Sequence, residues 1–124
     1  MKFQGTIEFT LVEQQADKTV CEMPVTPGIL NPFGVANAGA ILWFADVTAS
    51  VLVMGRAEAS EGMSGFPLAI SLNANFISNQ KNGFFKATST FVKKGRTVSV
   101  VRTIVEGEGG KLVADVTTSH VPAK

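Results

Sequence analysis

Apolar and polar positions alternate over residues 3–12, with Phe3, Ile7, Phe9 and Leu11 on one parity and Thr6, Glu8 and Thr10 on the other. That period of two predicts a half-buried strand. A second short strand is predicted over 19–23, after a turn at 14–18, and Pro24, Pro27, Gly28 and Pro32 then break regular structure. Over 39–54 the pattern changes: Ala, Ile, Leu, Trp, Phe, Val and Met recur on nearly every face, which predicts a long helix meant for burial. The run is shorter than the ~20 residues that span a bilayer, so a core helix is expected and no membrane span. Alternation returns over 68–77, where Leu68, Ile70, Leu72, Ala74 and Phe76 share a parity, and three further strands are predicted over 83–92, 97–106 and 111–121. The connections NQKNG, KKGR and GEGG are short, which predicts antiparallel hairpins. The stretch GRAEASEGMSGFP after Met54 reads as an exposed loop. The element order β-β-α-β-β-β-β predicts an α+β fold, a single domain over 1–124 in which an antiparallel sheet wraps around one long helix.

Composition narrows the choice of function. With 11 basic and 10 acidic residues the net charge is +1, so there is no basic field for nucleic acid. A single cysteine, Cys21, excludes an internal disulfide and a multi-cysteine metal cluster, and it reads as a small buried hydrophobe suited to a reducing cytoplasm. The N-terminal MKFQGTIEFT alternates instead of forming a continuous apolar run, so no signal peptide is expected. So much apolar helix and sheet in 124 residues predicts burial against further copies of the chain.

Against this background Asp46 stands out, because no other residue from Met23 to Gly55 is charged. A carboxylate on an apolar helix costs several kcal/mol unless it is paired, hydrogen-bonded or protonated, and that cost marks a polar network or a functional group. Upstream lies Asn31-Pro32-Phe33-Gly34-Val35-Ala36-Asn37-Ala38-Gly39, with Asp46 nine positions after Asn37. This spacing resembles that of the hotdog-fold acyl-CoA thioesterases of the phenylacetate-degradation type, similar to the 4-hydroxybenzoyl-CoA thioesterases. There the pattern is Asn-x-x-Gly-x-x-His-Gly-Gly, followed by an acidic residue nine positions after the histidine. The strand order, the FISNQKNG segment, the KKGRT turn and the GGKLVAD ending are similar too. The departures are Asn37 for the histidine and Ala38 for the first glycine.

The resemblance implies hydrolysis of a small or medium acyl- or aryl-CoA, with coenzyme A as part of the substrate and no separate cofactor or metal. Asp46 is then general base or nucleophile, the Ala38 or Gly39 amide polarises the thioester carbonyl, and Asn31 and Asn37 align the thioester or the water. Ser50, one turn beyond Asp46, could orient its carboxylate. Lys81, Lys94 and Arg96 are implied as contacts for coenzyme A phosphates. Ala38 and Asp46 are eight residues apart, or roughly 12 Å along a helix, too far to touch one carbonyl. The site is therefore expected to be shared between subunits of a homodimer or a dimer of dimers. His120, on the parity of Ala114 and Val116, reads as a packed histidine, and Met54 and Met63 as core or acyl-pocket residues. The alternative is a noncatalytic acyl-CoA or acyl-carrier binding protein that kept the pocket and lost turnover with the histidine.

Overall fold

The computed structural model describes residues 1–55, 62 and 64–123. The chain runs β1 (Thr10–Gln14), β2 (Lys18–Pro24), α1 (Ala38–Met54), β3 (Pro67–Phe76), β4 (Phe84–Lys93), β5 (Ser99–Glu106) and β6 (Leu112–Pro122). The strands form one antiparallel sheet in the order β1-β2-β4-β5-β6-β3. Helix α1 packs across this sheet and touches β2 through β6. The expected α+β fold, a sheet wrapped around one long helix, is the one observed.

Burial follows the two periodicities. On β5 Ser99, Val101, Thr103 and Val105 face inward, and on β4 Phe85, Ala87 and Ser89 do so. The helix meets them with Ile41, Phe44, Ala45, Thr48, Ala49 and Leu52, where the small Ala45 and Ala49 let the helix axis approach the sheet. Phe44 and Phe85 are fully buried, each contributing about 1.5–3 kcal/mol of transfer free energy. The opposite stripe of α1, with Leu42, Trp43, Asp46, Val47 and Ser50, stays partly open in a single chain.

Two expectations need correction. Residues 3–9 are not strand; β1 begins at Thr10. The segment before it is held instead by one backbone bond, Thr6 N–H to the Gly28 carbonyl, and by Phe9, which stacks edge-on against Trp43 and Phe44. Ile7 and Phe9 pack on the core while Phe3 is 87% exposed, so the alternation reflects two anchoring side chains and not a ladder. Second, the NQKNG connection is not a hairpin: β3 pairs with β6, three places from β4 in the sheet. Residues 77–83 cross the end of the β5–β6 hairpin, a span of about 14 Å that seven extended residues cover easily. Ile77 and Ser78 donate to the Val113 carbonyl, and the Gln80 Oε1 accepts from the Glu108 N–H.

The topology leaves β3 at the sheet edge. Leu68, Ile70, Leu72 and Phe76 are 46–59% exposed, and of the five apolar residues expected on one face only Ala74 packs against the core. That expectation is also corrected by a bulge between Ala69 and Ser71: Leu72, Ala74 and Phe76 pair with the inward Thr118, Val116 and Ala114, while Leu68 pairs with Val121 on the other face. Met54 is half-buried; Met63 lies outside the described residues, as does most of the predicted loop that follows Gly55.

Candidate active site

The helix entrance is built from an asparagine turn and an asparagine cap. The Asn31 Oδ1 accepts from the Phe33 N–H (2.9 Å) and the Val35 N–H (3.3 Å), while the Asn31 N–H donates to the Val35 carbonyl (2.8 Å). Its side-chain oxygen is thus committed to shaping the loop. The loop is tied down by the Asn37 N–H to the Ile29 carbonyl (2.7 Å) and by the Asn79 Nδ2 to the Ala36 carbonyl (2.8 Å).

Asn37 is the N-cap of α1, and its Oδ1 accepts from the Gly39 N–H at 2.8 Å. Its backbone carbonyl takes the Ala40 and Ile41 amides. A Cβ at position 39 would stand 3.2 Å from that Oδ1, so glycine gives the cap room to close. Among the described residues this leaves the Ala38 amide as the first-turn N–H without a partner, exposed at the positive end of the helix dipole. Of the two amides expected as carbonyl donors, Gly39 is occupied and Ala38 is available.

Asp46 lies seven residues beyond Gly39, on the same helical face and about 10 Å along the axis. Its Oδ1 is buried with no hydrogen-bond partner among the described residues, so Ser50, one turn on, does not hold that oxygen. Burial pushes the Asp46 pKa above the ordinary carboxylate value, and the charge of His120 opposes that shift. His120 is buried on the inward face of β6, as a packed histidine should be. Its nearness to Asp46 was not legible in the sequence, since it depends on the rotation of α1 over the sheet. The only signal was that the chain's single histidine falls on an inward parity.

The three candidate cations divide between the ends of the molecule. Lys94 and Arg96, in the β4–β5 connection, line a cavity of about 190 Å³ together with Val53, Pro67 and His120. The Lys94 Nζ stands 5.5 Å from the Phe91 ring centre. Lys81 sits in the connection that leaves the other end of β3, the one anchored to the helix entrance through Asn79. A cleft of about 440 Å³ opens at that entrance, beside Asn37 and Gly39 and walled by Ile7, Ile29 and Trp43. One chain therefore keeps two groups of residues apart, a free amide with Lys81 at one end and a carboxylate with Lys94 and Arg96 towards the other. Among the described residues no group of three or more His, Cys, Asp or Glu is placed to hold a metal ion, and no helix is long and apolar enough to cross a membrane.

Residues 33–114, which carry Asn37, all of α1 with Asp46, and strands β3, β4 and β5, match the family model of the thioesterase superfamily. The chain belongs to this superfamily. Among its relatives is the 1,4-dihydroxy-2-naphthoyl-CoA hydrolase of Listeria monocytogenes, 26% identical over 91% of this chain and 89% of that protein. A mutant thioesterase from Staphylococcus aureus superposes with a TM-score of 0.85, at 22% identity over 94% of this chain and 93% of its own. A protein from Streptococcus pneumoniae described as a hypothetical thioesterase, solved with coenzyme A, has a TM-score of 0.81 at 16% identity, covering 94% of this chain and 86% of its own. The superfamily thus shares the hotdog arrangement seen here, one long helix on an antiparallel sheet.

Proposed function

We propose that two copies of the chain hydrolyse acyl-CoA thioesters at sites that each combine the helix entrance of one copy with Asp46 of the other. The observation that carries this reading is the separation just described: the available Ala38 amide and the unpartnered Asp46 carboxylate are complementary in chemistry yet roughly 12 Å apart along one helix. Pairing two β3 edges about a two-fold axis runs them antiparallel, which brings the 77–83 end of one chain beside the Pro67 end of the other. The exposed apolar side chains of the β3 edge and the open stripe of α1 are then covered together.

In such a site the Ala38 N–H and the helix dipole stabilise the negative charge that develops on the thioester oxygen. Asp46 takes a proton from the attacking water. Its desolvated setting strengthens it as a base while leaving it ionised above its raised pKa. Asn37 holds the turn that aims the Ala38 amide. The cleft walled by Ile7, Ile29 and Trp43 seats a small or medium acyl or aryl group. Lys94 and Arg96, with Lys81 arriving from the other copy, meet the phosphates of coenzyme A. Support for a coenzyme A substrate comes from the Listeria relative's named activity and from the coenzyme A in the Streptococcus structure. A buried free Cys21, its thiol pKa raised by burial, suits a cytoplasmic setting.

Free-thiol release across a panel of acyl-CoAs tests the reading. Asp46→Asn is expected to lower kcat by ~10²–10⁴. It should also raise thermal stability at neutral pH. A carboxyl with a raised folded-state pKa favours folding while protonated and loses that benefit as pH rises through its folded pKa, and Asn removes the penalty. Tight acyl-CoA binding by a parent that releases no thiol would replace hydrolysis with the noncatalytic binding role.

A further inference from the structure

His120 is the chain's single histidine, and the mechanism above makes no use of it. Its ring is 1% exposed and faces the helix. Nε2 shares a hydrogen bond with the Thr118 hydroxyl at 2.8 Å. Among the described residues Nδ1 is buried without a hydrogen-bond partner, and so is the Asp46 Oδ1. The two groups are near enough for each charge to act on the other: Asp46 raises the proton affinity of His120 and His120 lowers that of Asp46, both against larger opposite effects of burial. The Pro67 carbonyl also favours protonation of the ring, but no hydrogen bond of good geometry forms there and Nδ1 stays bare. Lys94 and Arg96 are the charged residues that line the cavity shared with His120. Burial outweighs the influences of Asp46 and Pro67 and favours the neutral ring.

Bare buried polar atoms are costly, and these two complement each other. With the Thr118 hydroxyl donating to Nε2, the ring proton resides on Nδ1, so the ring offers a donor and Asp46 an acceptor. A water with polar groups on either side can satisfy both. We propose that His120 is a positioning residue for thioester hydrolysis: its Nδ1–H holds the Asp46 Oδ1 through one bridging water, which fixes the carboxylate and leaves its other oxygen to take the proton from the nucleophile. The inference rests on Asp46 being the base. It gives this chain, whose helix entrance carries Asn37, an imidazole that supports the base from the sheet.

The test compares His120→Phe, His120→Asn and His120→Gln, because an Asn amide falls near the position of Nδ1 and a Gln amide near that of Nε2. His120→Phe should lower kcat about ten- to a hundredfold, the worth of one hydrogen bond to a charged group, with KM changed less than about threefold. His120→Asn should recover most of the loss and His120→Gln little of it. Removing the imidazole also removes the Nδ1–H donor that stabilises the ionised carboxylate, so the acid limb of the kcat/KM profile should move to higher pH. In an Asp46→Asn background, His120→Phe should have no further effect, since the two act as one unit. Parental kcat in His120→Phe, a loss confined to KM, or equal rates in the Asn and Gln variants would overturn the proposal. If His120→Phe does not fold, the comparison of Asn with Gln still decides. Full turnover in Asp46→Asn would remove the hydrolase reading itself, whereas an inactive Asp46→Asn beside a fully active His120→Phe would remove only this inference.

Discussion

At Asn37 one oxygen caps α1 and, in doing so, occupies the Gly39 amide, leaving the Ala38 amide without a partner among the described residues. Capping and catalysis can be separated here. Asn37→Ala should lower stability by about 1 kcal/mol through loss of the cap, read as a shift in melting or denaturant midpoint. Asn37→Asp keeps a good cap, and stability should be held or improved. In the proposed site its charge would sit where the thioester oxygen becomes negative, and kcat should fall about tenfold or more. An Asn37→Asp variant with parental kcat would mean that no negative charge builds up at this helix terminus. The placement of Asn31, Asn37 and Asp46 relative to one another was legible in the sequence because one loop and one helix fix it, so spacing alone carries the geometry. His120 was not, because its relation to Asp46 rests on strand register and helix rotation between segments far apart in the chain.

Among the elements, α1 and the five strands after the first fell close to where their periodicities put them, since each pattern is a local property of the chain. Pairing order was less legible. The short 77–83 connection has the length of a hairpin loop but runs across the sheet end, tied by Asn79 and Gln80 to neighbouring segments, and length does not report that. Strand β3 shows the consequence. Its apolar residues read as one core face in the sequence, yet the bulge between Ala69 and Ser71 divides them between faces, and at the sheet edge eight of the ten residues are exposed. An unpaired edge of that length and apolarity invites a second copy. Placing a charge there should block it: Ile70→Lys, at a side chain 59% exposed, should shift sedimentation from dimer towards monomer and reduce turnover in parallel. A variant that became monomeric and kept its kcat would show that each chain holds a complete site.

For the whole molecule the central claim is that the helix entrance and Asp46 act across two chains. Ala38→Pro is suited to testing it. Position 38 is the first residue of α1, where proline is well accommodated, and Asn37 already has the extended backbone (φ −64°, ψ 134°) that a following proline requires. The variant loses the amide donor and keeps the helix, and its kcat should fall about 10²–10³-fold, the usual effect of removing one such donor. Asp46→Asn fails for the opposite reason. Unfolding and refolding the two inactive variants together in equal amounts yields mixed dimers in which one site pairs a sound Ala38 with a sound Asp46. Thiol release from the mixture should then recover to about a quarter of parental activity, because half the dimers are mixed and each carries one working site of two. Activity that stays at the level of the separate variants, with mixed dimers verified by mass, would place both groups of a site in a single chain and contradict the account.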